Sequence, residues 1–228
     1  METATDLAPV DFEQLRRNMV DSQIRTNDVT DLRLLDAILS VPRELFVPEP
    51  RRELAYTDED VEVSAGSAKH YVMKPVVLAR LIQLADVRPG DNVLEVGCGT
   101  GYASAIMSKV AAHVIALDDD QAIADVAKAA LAAAGCGNVV TVTGPIAKGF
   151  AAKAPYDVVF INGAVDEVAA ALFGQLKEDG RLVAVEGYGN AGVAKLYVKH
   201  DGHVAGRKVF NASVKPLPGL RKEPGFVF

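Results

Sequence analysis

The sequence predicts an α/β fold built on a doubly wound, mostly parallel sheet. A short apolar run enters a glycine-rich turn and then a helix at residues 93–102. Further apolar runs alternate with helical segments as far as residue 185, which is the order that crossover helices between parallel strands produce. Half of the 228 residues are hydrophobic, enough to bury a substantial core in one domain.

The N-terminal part predicts two helices followed by irregular chain, because apolar side chains recur at helical spacing twice and then stop. Its elements are a frayed lead-in (1–10), a helix capped by Asp11 (12–20), a break (21–28), a helix capped by Thr30 or Asp31 that ends before Pro42, and an irregular segment (43–74) with solvated carboxylates at 58–60. We expect the two helices to form a cap in front of the sheet.

The remaining chain predicts strands and helices in alternation. They are a helix (75–85), a strand (93–96), a helix (102–112), a strand (113–117), a helix (120–134), strands (138–143 and 156–161), a helix (166–176), a strand (181–185), a closing pair (194–198 and 208–210) around Asp201-Gly202, and a tail (217–228) on the sheet surface.

Composition narrows the class of protein. The chain carries 30 acidic and 24 basic side chains, a net charge of −6, and no basic stripe, which argues against nucleic acid as a partner. No apolar run reaches membrane-spanning length, and the N-terminus lacks the pattern of a signal peptide. Cys98 and Cys136 have no metal-ligand spacing, so we expect no metal and a cytoplasmic chain.

The turn after the first long strand predicts a ligand site. Gly97, Gly99 and Gly101 stand at alternate positions, which allows a sharp turn and close approach of a ligand to bare backbone. A tight turn without a ligand is the alternative. The spacing is one residue shorter than the dinucleotide fingerprint Gly-x-Gly-x-x-Gly.

Carboxylates on either side of the turn indicate which ligand it binds. Glu95, at the strand end, would repel a pyrophosphate but suits a ligand with an ammonium and a sulfonium. The next strand ends in Asp118-Asp119-Asp120, about twenty residues after the loop, where a carboxylate accepts ribose hydroxyls. This combination points to S-adenosyl-L-methionine.

Several motifs together resemble a known family. The run Glu95-Val96-Gly97-Cys98-Gly99-Thr100-Gly101-Tyr102 is similar to the first motif of class I methyltransferases. The flanks resemble protein-L-isoaspartate O-methyltransferases: Val41-Pro42-Arg43-Glu44-Leu45-Phe46-Val47-Pro48, Ala55-Tyr56-Thr57-Asp58, Pro75-Val76-Val77-Leu78-Ala79, Ala154-Pro155-Tyr156-Asp157, and 175–183. The resemblance implies a Rossmann-like class I methyltransferase sheet with an N-terminal helical cap, and methyl esterification of L-isoaspartyl residues in damaged proteins.

The predicted cofactor residues are Glu95, Gly97, Cys98, Gly99, Thr100, Gly101, Tyr102, Asp118 and Asp119. We expect Glu95 to face the methionine amino end and Asp118 the ribose. Helix capping is an equal alternative for Asp119 and Asp120, and Cys98 is expected to be a buried filler of the loop. We predict one domain over 1–228, with a cap and acceptor loop (1–74), a cofactor-binding core (75–187), and closing strands with a tail (188–228).

The chain departs from the family pattern in two places. Family members carry Gln-Thr-Ile-Ser-Gln-Pro where this chain has His70-Tyr71-Val72-Met73-Lys74-Pro75, so the serine position is Met73 and the threonine position is Tyr71. They also carry Gly-Asp-Gly after the third strand, where this chain has Gly144-Pro145-Ile146. The adenine contact must then be apolar, come from elsewhere, or be absent.

These departures leave the catalytic residues unassigned. His70, Tyr71, Met73 and Lys74 are candidates to orient the acceptor, while Tyr71 and Met73 could instead simply pack the loop. A carboxylate acceptor needs no general base, since it is already anionic at neutral pH. The expected partner is a peptide or protein carboxylate, and the oligomeric state is open. Methylation of another acceptor and cofactor binding without catalysis are the alternative functions.

Overall fold

A seven-stranded sheet organises the chain in the computed structural model, which describes residues 10–65 and 68–220. The helices are α1 (Phe12–Asn18), α2 (Leu32–Ser40), α3 (Pro75–Ala85), α4 (Tyr102–Ser108), α5 (Gln121–Ala133) and α6 (Ala170–Phe173). The strands are β1 (Val61–Glu62), β2 (Tyr71–Val72), β3 (Asn92–Val96), β4 (His113–Asp118), β5 (Val139–Thr143), β6 (Tyr156–Val165), β7 (Leu176–Glu186), β8 (Val193–His200) and β9 (His203–Asn211).

The strand order in the large sheet is β5-β4-β3-β6-β7-β8-β9. Strands β3 to β7 run parallel, and β8 and β9 are antiparallel at one edge. The predicted doubly wound, mostly parallel fold is confirmed. Val96 of β3 pairs with Leu117 of β4 and with Ile161 of β6, so the carboxyl ends of these three strands lie side by side. Ligands bind at such an edge in open α/β sheets.

The N-terminal cap differs in one respect from the prediction. The expected break at 21–28 is wrong in most of its length, because α1 continues as a π-helix over Met19–Ile24 and a 3-10 helix over Arg25–Asn27. Met19, Val20 and Ile24 of the π-helix are buried in the core, and this packing stabilises the helical conformation there. The turn comes at Asp28, whose φ is 63°. Helix α2 begins after Asp31, whose carboxylate accepts from the Arg33 amide.

The segment predicted as irregular contains short regular pieces. It has two 3-10 helices, Arg43–Phe46 and Glu49–Leu54, and the antiparallel pair of β1 and β2. The carboxylates at 58–60 form more than a solvated loop, because Asp58 accepts from the Val76 amide and Asp60 from the Lys74 amide. They satisfy donors at the start of α3, which otherwise lack partners within the helix.

Further boundaries also change, among them the end of β6, which runs to Val165 and not to 161. Helix α4 ends at Ser108 and not at 112, and the closing pair is longer than predicted, with Asp201-Gly202 at its turn. The helix predicted over 166–176 is wrong, because only the single turn of α6 forms and β7 already begins at Leu176. Of the lead-in (1–10), residues 1–9 lie outside the described residues, as does 221–228 of the tail. Among the described helices, none combines the length and hydrophobicity that crossing a bilayer requires.

Candidate active site

The glycine turn joins β3 to α4 at the carboxyl edge of the sheet. Gly97, Gly99 and Gly101 have φ values of 78°, 54° and 90°, in the left-handed region that side chains with a Cβ rarely adopt. The amides of Gly97 and Cys98 both donate to the carbonyl of Leu117, at 2.8 and 3.1 Å. The turn is therefore fixed against the end of β4, with its backbone facing the edge of the sheet.

Asp118 completes this connection from β4. Its Oδ2 accepts from the Gly99 amide at 2.9 Å, and its Oδ1 accepts from the Asp120 amide at 3.2 Å. The residue is only 1% exposed, and burial raises the pKa of its carboxyl. Asp120 caps α5 through the Ala122 amide, whereas Asp119 is exposed at the rim. The structure thus brings the predicted ribose carboxylate against the predicted loop.

Glu95 lies beneath the turn, fully buried, and does not line the cavity. Its Oε1 accepts from Asn162 Nδ2 at 2.7 Å, and its Oε2 accepts from the Ser104 hydroxyl. Burial raises the pKa of Glu95 to about 8, although both hydrogen bonds act in the opposite direction. Its route toward a ligand runs through Asn162, which does line the cavity. Asn162 escaped the sequence prediction, although a polar residue after the buried run 158–161 was a usable signal.

The other predicted loop residues hold the turn to the cap. Thr100 donates its hydroxyl hydrogen bond to the Phe46 carbonyl at 2.7 Å. The Tyr102 ring packs against Phe46, with 5.6 Å between ring centroids, and under the Arg43 guanidinium at 4.7 Å. Cys98 is 2% exposed, and burial raises the pKa of its thiol well above the usual range, which suits a filler and not a nucleophile.

The acceptor loop, residues 70–75, faces the glycine turn across a narrow cavity. Side chains of His70, Tyr71 and Met73 line it together with Gly97, Gly99 and Asn162. The Met73 carbonyl accepts from Arg43 Nη2 at 2.9 Å, and Arg43 is completely buried. Lys74 differs from the other candidates because it does not line the cavity. Its backbone amide donates a hydrogen bond to Asp60 Oδ1 at 3.0 Å.

The start of the tail closes the cavity from the other side. Residues 214–218 line it, and the backbone of this segment pairs with β6 through Ala164 N to Lys215 O and Leu217 N to Ala164 O, both 2.9 Å. A Cβ built on Gly97 would lie 2.1 Å from Leu217 Cδ1, so Leu217 sits directly on the turn. Leu217 is 5% exposed and belongs to an apolar cluster with residues of β3 and β6, which agrees with the prediction of a tail packed on the sheet surface.

Comparisons with known proteins agree with these motifs. A family model described as protein-L-isoaspartate(D-aspartate) O-methyltransferase matches residues 14–220. The protein-L-isoaspartate O-methyltransferase of Koribacter versatilis is 34% identical over 206 residues, 90% of this chain and 90% of that protein. The enzyme of the same name from Rhodopseudomonas palustris is 39% identical over 165 residues, 72% of this chain and 74% of its own.

The chain belongs to the protein-L-isoaspartate(D-aspartate) O-methyltransferase family. The resemblance and the enzyme class predicted from the motifs are confirmed. A solved structure named protein-L-isoaspartate O-methyltransferase superposes with a TM-score of 0.79 at 28% identity, over 92% of this chain and 67% of that chain. A putative family member from Plasmodium falciparum, solved with S-adenosyl-L-homocysteine, gives 0.74 at 18% identity over 92% of this chain and all of its own, and shows the shared fold.

Within this family, the chain's departure after β5 has a clear structural setting. The Gly144 amide donates to the Asp118 carbonyl at 2.9 Å, so the turn after β5 is held beside the predicted ribose carboxylate. Pro145 at the next position offers neither a carboxylate nor an amide hydrogen. Ile146, 2% exposed, follows it. The exposed residue of this turn, Pro145, therefore offers no polar side chain.

Proposed function

We propose that this chain transfers the methyl group of S-adenosyl-L-methionine to the free carboxylate of L-isoaspartyl residues in peptides and damaged proteins. The observation that carries the proposal is the hydrogen bond from the Gly99 amide to Asp118 Oδ2. Gly99 lines the cavity together with the acceptor loop, and Asp118 lies directly behind it without lining the cavity itself. Family membership, matched over residues 14–220, supports the reaction class.

The residues fit this methyl donor. The turn places two bare glycines, Gly97 and Gly99, at the cavity, where a Cβ would reduce the space for a ligand. Asp118 presents a buried carboxylate to the ribose, and Asn162, held by Glu95, presents a polar side chain to the methionine end. S-adenosyl-L-methionine supplies an electrophilic methyl group on a sulfonium when it is bound.

The acceptor side of the reaction needs orientation more than proton transfer. A carboxylate with an ordinary pKa of about 4 is anionic at neutral pH, so no base has to remove a proton. Collinear placement of the two reactants and exclusion of water can then provide most of the acceleration. Tyr71 and Met73 line the acceptor side, and the hydrogen bond from Arg43 to the Met73 carbonyl fixes the loop that carries them.

Cofactor binding on these residues requires the tail to shift. Leu217 packs on Gly97, and a Cβ built on Gly219 would lie 2.4 Å from Asp119 Oδ2. The cavity as it stands has a volume of about 20 Å³, close to the space of a single water molecule. The tail segment 214–219 therefore has to move away from the turn when a nucleoside enters.

The chain's organisation and location remain part of the proposal. We place the whole activity in one domain, with the cap at 1–74, the cofactor-binding core at 75–187, and closing strands and tail at 188–228. Both cysteines are free and buried, as is usual for a chain in the reducing cytoplasm.

Two measurements test the function. Calorimetric titration with S-adenosylhomocysteine should give a saturable signal, and no heat at millimolar ligand would reject the methyltransferase assignment. Mass spectrometry should then detect a methyl ester on an isoaspartyl peptide and none on the same peptide with a normal aspartyl bond. Methylation of neither peptide by a chain that binds S-adenosylhomocysteine would show that the acceptor is a different group.

A further inference from the structure

His70 is a buried imidazole whose Nε2 lies near the Asp120 carboxylate but makes no hydrogen bond with the described residues. The side chain is 3% exposed. A polar atom buried without a hydrogen bond is destabilising, because burial removes it from water. Such an atom at the wall of a ligand cavity indicates a partner that arrives with the ligand.

Two hydrogen bonds hold the backbone of His70. The His70 amide donates to Ser64 Oγ at 3.1 Å, and its carbonyl accepts from the Val63 amide at 2.8 Å. The bond from Val63 extends the pairing of β1 with β2, so the backbone is anchored at the first residue of the acceptor loop. The side chain is buried, which restricts its rotamers, and His70 lines the cavity.

The imidazole faces the cluster of carboxylates at the end of β4. Its Nε2 lies 3.5 Å from Asp120 Oδ2, and Asp120 already caps α5 through its other oxygen. Burial raises the pKa of the Asp118 and Asp119 carboxyls. A positive charge on the nearby His70 imidazole acts in the opposite direction on both pKa values. A ligand that met His70 with a carboxylate would bring a further negative charge next to Asp118, Asp119 and Asp120, whereas a neutral hydroxyl would not.

We propose that His70 is a specificity-determining residue for the nucleoside, with its Nε2 as the hydrogen-bond partner of a ribose hydroxyl. The inference rests on the proposed function, because that function places the ribose at Asp118. Imidazole can donate to or accept from a hydroxyl, so it pairs with this group in either tautomer. His70 then joins the acceptor loop to the cofactor site, and the loop recognises the donor as well as the acceptor.

The test measures binding of S-adenosylhomocysteine and of its 2′-deoxy and 3′-deoxy analogues by calorimetry. His70→Ala should weaken S-adenosylhomocysteine binding about tenfold, the loss expected for one hydrogen bond. The wild type should bind one of the two analogues more weakly than S-adenosylhomocysteine. In His70→Ala this difference in affinity should be about tenfold smaller. His70→Gln keeps a hydrogen-bonding group and should retain most of the discrimination, and His203→Ala, exposed on β9, should match the wild type.

The outcomes separate the two proposals. If His70→Ala binds as tightly as the wild type, or discriminates against both deoxy analogues by the same factors, His70 does not contact a ribose hydroxyl, while the proposed function stands. If the wild type binds no S-adenosylhomocysteine, both proposals fail. Thermal melting without ligand shows whether His70→Ala has a folding defect. If it has one, the test uses His70→Asn and His70→Gln instead. We then expect His70→Asn to lose the discrimination between ribose and deoxyribose and His70→Gln to retain it.

Discussion

Glu95→Gln should abolish a pH dependence of stability that the buried carboxyl gives to the wild type. Because burial raises the pKa of Glu95 from its usual 4.5 to about 8, the folded chain keeps a proton that the unfolded chain releases in this interval. Stability then falls as pH rises, by about 1.4 kcal/mol per pH unit. Over the interval from 4.5 to about 8, the loss reaches about 5 kcal/mol at most. Below pH 4.5 the carboxyl is protonated in both the folded and the unfolded state, so it causes no further change of stability with pH.

The variant isolates this effect because glutamine resembles the protonated acid. Its amide can donate to Ser104 and its carbonyl can accept from Asn162, so the two hydrogen bonds of Glu95 have counterparts. Urea unfolding between pH 5 and pH 9 should show that the variant gains stability over the wild type as pH rises, by several kcal/mol at pH 9. Glu49→Gln, at an exposed site, is the control. A difference between Glu95→Gln and wild type that stays constant across this range would refute the reasoning.

Three further predictions concern ligand and acceptor. Asp118→Asn removes the charge beside the ribose and should weaken S-adenosylhomocysteine binding about 10- to 100-fold by calorimetry, whereas Asp125→Asn on the exposed face of α5 should not. Met73→Ser should raise the rate of methyl transfer to an isoaspartyl peptide and lower stability by about 2–5 kcal/mol in urea unfolding, since Met73 is 4% exposed; unchanged or slower transfer would indicate a pocket shaped for another acceptor. Leu217→Ala should speed S-adenosylhomocysteine association severalfold in stopped-flow measurements, because the tail then leaves the turn more easily; an unchanged rate would contradict the required shift of the tail.

The parts of the site that local sequence determines were predictable. The strand, the glycine turn and the carboxylate that follows the next strand form one continuous unit, and parallel pairing of β3 with β4 necessarily brings Asp118 to the turn. The conformations of the three glycines also follow from residue type, since their φ values are those that glycine alone adopts readily. Residue type also predicts Asp120 as a helix cap, since aspartate is favoured at helix N-termini, and the structure shows this cap.

Long-range contacts explain most of what the sequence did not reveal. Asn162 reaches Glu95 from a strand 67 residues away, and Leu217 reaches Gly97 from the end of the chain. The polar residue after the run 158–161 marks Asn162 as a candidate. The partners of Asn162 and Leu217 leave no local pattern, because both contacts depend on how β6 and the tail cross the sheet edge. His70 was recognised as a candidate, but only the structure shows that its Nε2 is buried beside Asp120 without a hydrogen bond.

The error at 166–176 has a local and a long-range cause. The alanines at 169–171 favour a helix, but the segment is interrupted by Gly174, which has a low helix propensity. Leu176 pairs with Tyr156 of β6, and the gain from joining the buried sheet exceeds the propensity of a short alanine run. Sheet pairing therefore overrides helix propensity at this point.

The proposed reaction is the esterification of an isoaspartyl carboxylate with the methyl group of S-adenosyl-L-methionine. Its most direct test uses tritiated S-adenosyl-L-methionine and two peptides that differ only in an isoaspartyl or a normal aspartyl linkage. Treatment with base releases methanol from carboxyl methyl esters and leaves N-methyl groups intact. We expect volatile label from the isoaspartyl peptide alone, and much less of it from Asp118→Asn at a limiting concentration of the methyl donor. Equal label from both peptides, or label that base does not release, would contradict it.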